Sequence, residues 1–76
     1  MARSIALKPI VNLPAGKTID ATVLYDALDR SRQSIYYLRV HADFPSVFGR
    51  RSGKPHYDTT EIANWLRANN VKIYWV

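Results

Sequence analysis

Cysteine is missing from the 76 residues, so neither a disulfide framework nor a thiolate metal site can be built, and a reducing compartment is the natural setting. Glycine appears only at positions 16, 49 and 53. Gly49 and Gly53-Lys54 fall one residue short of the phosphate-cradling loop G-x-x-x-x-G-K, and no strand–helix–strand context surrounds them. Two histidines, His41 and His56, stand without paired carboxylates or a nucleophile, which argues against an enzyme and leaves no cofactor or metal to expect. No apolar run approaches the roughly 18 residues of a membrane span, and Met1 to Lys8 leads into no apolar stretch of signal-peptide length. The expectation is one cytoplasmic domain with no membrane partner. Acidic residues are also scarce, six against eleven Lys and Arg, and the imbalance is local.

Residues 30 to 54 carry Arg30, Arg32, Arg39, Arg50, Arg51 and Lys54 against Asp43 alone, whereas acids and bases balance over the rest of the chain. Surplus charge gathered in one segment is the electrostatic footprint expected for a polyanion, because each cation that neutralises a phosphate releases condensed counterions. The same charge on an exposed turn also serves solubility, so the segment's structural signals must decide.

Residues 1 to 17, with Pro9, Pro14 and Gly16 among alternating apolar residues, read as an extended arm or one short strand followed by a turn. Asp20 is an N-cap type of residue; Ile19 and Leu24 form an N′–N4 staple, and Leu24, Ala27 and Leu28 give the buried stripe of a first helix. Asp29-Arg30-Ser31 interrupts it, and Ser31 caps a second helix from Arg32 to about His41. Two short helices about three residues apart form a helix-turn-helix pattern. Ser34, Ile35, Leu38 and His41 are expected towards the core; Arg32, Gln33, Tyr36, Tyr37 and Val40 are expected outwards. Arg39 points sideways, with Asp43 as a candidate ion-pair partner.

Phe44-Pro45 ends this helix. Ser46-Val47-Phe48 then reads as a strand, Gly49 to Pro55 as a basic, turn-rich connection, and His56-Tyr57 as the returning strand of a hairpin with a cationic tip. Asp58-Thr59-Thr60-Glu61 has the form of a capping box before Ile62, Trp65 and Leu66, so a third helix extends to about Ala68. Asn69-Asn70 suit its C-cap, and Val71 to Val76 reads as a final strand or tail. Trp65 is expected in the core; Trp75 is expected in the core or at an interface. The fold class expected is α+β, a small winged helix-turn-helix over residues 1–76.

Ser31-Arg32-Gln33-Ser34-Ile35-Tyr36-Tyr37-Leu38, Asp43-Phe44-Pro45, Gly49-Arg50-Arg51, Tyr57-Asp58 and Glu61-Ile62-Ala63-Asn64-Trp65-Leu66 follow one another in an order that resembles the winged helix-turn-helix superfamily. That superfamily includes phage excisionases, AlpA-type prophage regulators and terminase small-subunit DNA-binding domains, and is related to MerR-type domains. The resemblance spans about residues 20 to 67. It implies double-stranded DNA as partner, with the second helix in the major groove and the hairpin, or wing, on the backbone or minor groove. A phage or prophage excisionase or a small transcriptional regulator is the expected role, with a terminase recognition domain as the alternative.

The candidate DNA-binding residues are Arg30, Arg32, Gln33, Tyr36, Tyr37, Arg50, Arg51 and Lys54. Arg32, Gln33 and Tyr37 are expected to read base edges, and Arg50, Arg51 and Lys54 to hold phosphates. Both tyrosines have a competing role as packing residues that extend only a hydroxyl. Self-association on DNA through the tails and contact with an integrase or another phage protein are further expected partners. An RNA-binding protein would share the basic patch but needs an aromatic platform that is not evident. A protein-interaction module would use Ile73-Tyr74-Trp75-Val76 as a docking strand.

Overall fold

The computed structural model describes residues 7–51 and 53–76, the side chains of residues 50 and 51 excepted. Within them the fold is α+β and winged-helix-like: β1 (Ile10–Leu13), β2 (Thr18–Asp20), α1 (Ala21–Leu28), α2 (Arg32–Ala42), β3 (Gly49–Arg51), β4 (Lys54–Asp58), α3 (Thr59–Ala68) and β5 (Lys72–Trp75). The strands form two small sheets, β1 beside β5 and the three-stranded order β2-β4-β3. No helix among the described residues is long and apolar enough to cross a membrane.

Each helix begins where its cap sits. The Thr22 amide donates to Asp20 Oδ1 at 2.8 Å, the Ser34 amide to Ser31 Oγ at 3.1 Å, and the Thr60 amide to Asp58 Oδ1 at 2.8 Å. These are orphan N–H groups that a helix start cannot satisfy internally. Both ends of the α1–α2 pair close through left-handed aspartates, Asp29 at φ 55° and Asp43 at φ 60°, where a glycine is the commoner residue. α1 and α2 are therefore separated by three residues, Asp29 to Ser31.

The core lies where the helices meet the two sheets. Leu13, Ile19, Leu24, Ile35, Leu38, Ile62 and Leu66 are essentially inaccessible. Phe44 stands edge-on to both Tyr57 and Trp65, at centroid distances of 5.9 and 4.9 Å. Trp65 satisfies its indole by donating Nε1–H to the Ala42 carbonyl at 2.8 Å, which ties α3 to the end of α2.

Some expectations hold and others need correction. Of the two readings of residues 1 to 17, an extended arm or one short strand, the strand is the one seen: residues 1–6 lie outside the described part, but Val11 and Leu13 are buried and β1 pairs in parallel with β5, Ile10 opposite Lys72 and Leu13 opposite Trp75. The strand reading of Val71 to Val76 holds likewise, as β5, and Val71 is buried beside it. β2 was hidden because Thr18-Ile19-Asp20 is too short to show alternation; it pairs antiparallel with β4, Ile19 opposite Tyr57. His41 is exposed, because the core side of α2 centres on Ile35 and Leu38.

The hairpin is shifted along the chain. Ser46 to Phe48 is not a strand; β3 starts at Gly49, and Arg51 lies opposite Lys54, so two residues connect the strands instead of seven. Gly53, at φ 77°, supplies the conformation that such a tight turn demands. Pro55 lies within β4 at no cost. The Phe48 amide donates to the His56 carbonyl at 2.7 Å, so the Pro55 nitrogen points to the opposite side, beyond the last β2 pair at Asp20 and His56.

Candidate nucleic-acid interface

α2 presents two flanks, not one outward face. Arg32, Tyr36 and Arg39, spaced i, i+4, i+7, lie along the flank nearer the hairpin. With Gln33 and Ile35 they bound a half-open groove of about 580 Å³, closed on the other side by Val47, Gly53 and Pro55 and floored by Tyr25 and Tyr57. Tyr36 is 62 % exposed, and the Arg39 guanidinium lies over its ring at 5.8 Å from the centroid, within reach of a cation–π attraction. Among the described residues neither Arg32 nor Arg39 has an ion-pair partner, and no acidic residue lines the groove. The pairing of Arg39 with Asp43 is therefore not made; the ring of Tyr36 draws the guanidinium the other way.

The opposite flank holds Tyr37, Ser34 and Arg30. Tyr37 stacks on His41 with ring centroids 4.4 Å apart, and Arg30 donates Nη1–H to Ser34 Oγ. Arg30 lines a second, shallower hollow together with Asp26 and Asp29. Of the eight candidate residues, the structure brings Arg32, Gln33 and Tyr36 to the groove beside the hairpin, leaves Arg30 and Tyr37 on the far side of α2, and places Lys54 exposed at the hairpin's return. The backbone of Arg50 and Arg51 runs in β3, while their side chains lie outside the described atoms.

Arg39, Tyr25 and Tyr57 were missed. Arg39 was detectable as i+7 from Arg32 and i+3 from Tyr36, a spacing that shares a helix flank. The tyrosines were not, because only the β2–β4 pairing brings residue 57 next to α1. Their hydroxyls are 3.4 Å apart, with rings edge-on at 6.4 Å. Burial and the bond to Tyr25 push the Tyr57 phenol well above the ordinary tyrosine value, so it stays neutral and keeps its proton.

At the base of the hairpin His56 Nδ1 donates to the Lys54 carbonyl at 3.1 Å and Nε2 stands 3.9 Å from Asp20 Oδ2, fastening the wing to the start of α1. No cluster of three or more metal-ligating side chains occurs among the described residues. No family model matches the chain, and no curated protein or solved structure matches it either.

Proposed function

We propose that this chain is a double-stranded DNA-binding protein of the winged helix-turn-helix kind, acting as a phage or prophage excisionase or as a small transcriptional regulator in the cytoplasm of a bacterial host. The observation that carries the reading is the cationic groove between α2 and the hairpin, where Arg32 and Arg39 face no acid among the described residues. Guanidinia on a helix flank with no acid to offset them repel one another, and they suit a phosphate backbone. Gln33, Tyr36 and Val40 are exposed together on α2, giving an amide, a phenol and an apolar surface for base edges and thymine methyls in a major groove. Lys54, with Arg50 and Arg51 of β3, would lie along the neighbouring backbone. Arg30 and Tyr37 are secondary in this reading, since one is bonded to Ser34 and the other stacked on His41.

A salt titration of binding to a duplex tests the proposal. Contact with about five phosphates gives a slope of about −4 to −5 in log affinity against log salt. A flat response, or no binding at low salt, sinks it. Within that assay Gln33→Ala is expected to relax sequence preference, losing about 1–3 kcal/mol at one base position, whereas Arg32→Ala and Arg51→Ala weaken all sequences alike and each lowers the slope by roughly 1. Selection of bound sites from random duplexes then shows, from half-site or repeat spacing, whether copies load side by side.

A further inference from the structure

The groove is larger than a phosphate contact requires and is furnished for more than charge. At about 580 Å³ it falls in the range of small-molecule sites, ~300–1,000 Å³, and it is lined on one side by cations and on the other by an apolar wall. Val47 and Pro55, both half-buried, form that wall. The two guanidinia, Arg32 and Arg39, sit at the α2 edge and have no acidic partner among the described residues. At the floor the hydroxyls of Tyr25 and Tyr57 share one hydrogen bond, and two phenols have two protons. One O–H donor is left over at this floor, since no other partner of either hydroxyl is found among the described residues. Gln33 adds an amide with both donors and an acceptor at the rim.

We infer that this groove is a nucleotide site, holding one phosphorylated nucleoside unit with its phosphate between Arg32 and Arg39 and its ring against the wall of Val47 and Pro55. Two guanidinia at one edge supply fork donors that match a phosphate's oxygens, and an apolar wall on the other side suits a ring that every base possesses. The spare phenol donor and Gln33 then meet the polar edge of the ring or the sugar oxygens. Because Tyr57 stays neutral, the floor never opposes the phosphate with a phenolate. The unit comes either from a free nucleotide or from a DNA strand that presents one unstacked, as at a single-base bulge. The inference deepens the DNA-binding reading and rests on it for the second source only, not for the site.

The test titrates the full chain with thymidine 5′-monophosphate, 2-deoxyribose 5-phosphate and inorganic phosphate, following amide and tyrosine ring resonances by NMR. The expected result is saturable binding of the nucleotide about tenfold tighter than that of either ring-free probe. Shifts should centre on Tyr36, Val47, Gly53 and Tyr57. Arg39→Gln should weaken the nucleotide about tenfold or more, whereas Lys72→Gln, on β5, should leave it unchanged; both variants are first checked for unchanged dispersion elsewhere in the spectrum. Equal binding of all three probes, shifts remote from the groove, or insensitivity to Arg39→Gln overturns the inference. Competition identifies the source: displacement by a duplex with a one-base bulge, more strongly than by a fully paired duplex, assigns the unit to DNA, and displacement by neither assigns it to a free nucleotide. A duplex that binds with steep salt dependence while the nucleotide fails leaves the DNA reading standing without this site. The reverse pattern leaves the site standing without the DNA reading.

Discussion

Asp20 ends β2, caps α1 and stands 3.9 Å from His56 of the wing. The bond from the Thr22 amide, helped by the charge of His56, holds its carboxyl below the usual value of 3.8. A carboxyl depressed in the folded state contributes stability that is present above its unfolded value and is lost as the pH falls through the folded one. Asp20→Asn keeps the capping oxygen and removes the charge. Its stability should therefore fall short of the parent at neutral pH and converge on it in acid, a comparison that urea unfolding at a series of pH values makes directly. Thr59 illustrates the opposite case. Its Oγ1 is buried with no hydrogen-bond partner among the described residues, so Thr59→Val removes an unsatisfied group without changing shape and should be neutral or stabilising by up to about 1 kcal/mol. Asp43 holds a left-handed conformation that glycine adopts without strain, and it lies outside the groove. Asp43→Gly should raise the unfolding free energy by roughly 0.5–1 kcal/mol while leaving ligand binding intact.

At the scale of elements, the helices were legible because their ends are written in side chains. Asp20, Ser31 and Asp58 cap where their chemistry says they should, and Ile62, Trp65 and Leu66 bury at helical spacing. The strands were less legible. Three- and five-residue strands offer too few positions for alternation, and Gly49-Arg50-Arg51 and Lys54-Pro55 have the composition of a loop; cross-strand partners, not local preference, make them a hairpin. The candidate site was half legible for the same reason: the cations of α2 are set by helical spacing, while the floor is set by which strand β4 pairs with. Treating all outward positions of α2 as one face merged two flanks and drew in Tyr37. The α2–α3 junction is open to test through Trp65, whose indole bond to the Ala42 carbonyl no phenyl ring can make. Trp65→Phe should cost about 2–4 kcal/mol, from the lost bond together with the cavity, as read from thermal or urea unfolding.

Over the whole molecule, the basic segment and the sheet that joins the two ends of the described chain are separate surfaces. β1 and β5 use Val11 and Leu13 to cover the core, leaving Ile10, Tyr74, Trp75 and Val76 exposed, so Trp75 is not a core residue. Deleting residues 71–76 would strip β1 of its partner and uncover core, so a chain ending at Asn70 should lose its cooperative unfolding transition by circular dichroism. Single exposed changes such as Tyr74→Ser are the variants that can probe self-association on DNA.

The parallel pairing of β1 with β5 also bears on how the chain reaches this state. Ile10 meets Lys72 only after nearly the entire sequence has been looped, whereas β3 meets β4 across two residues. Loop-closure entropy makes the short ladder the early event and leaves the long one to the downhill side of the transition state. Trimming Val11 to alanine should then leave the refolding rate nearly untouched and accelerate unfolding, giving a φ-value near 0 in a chevron measurement. The ladder that encloses the molecule would act as a latch on its lifetime, and the speed of folding would be decided elsewhere.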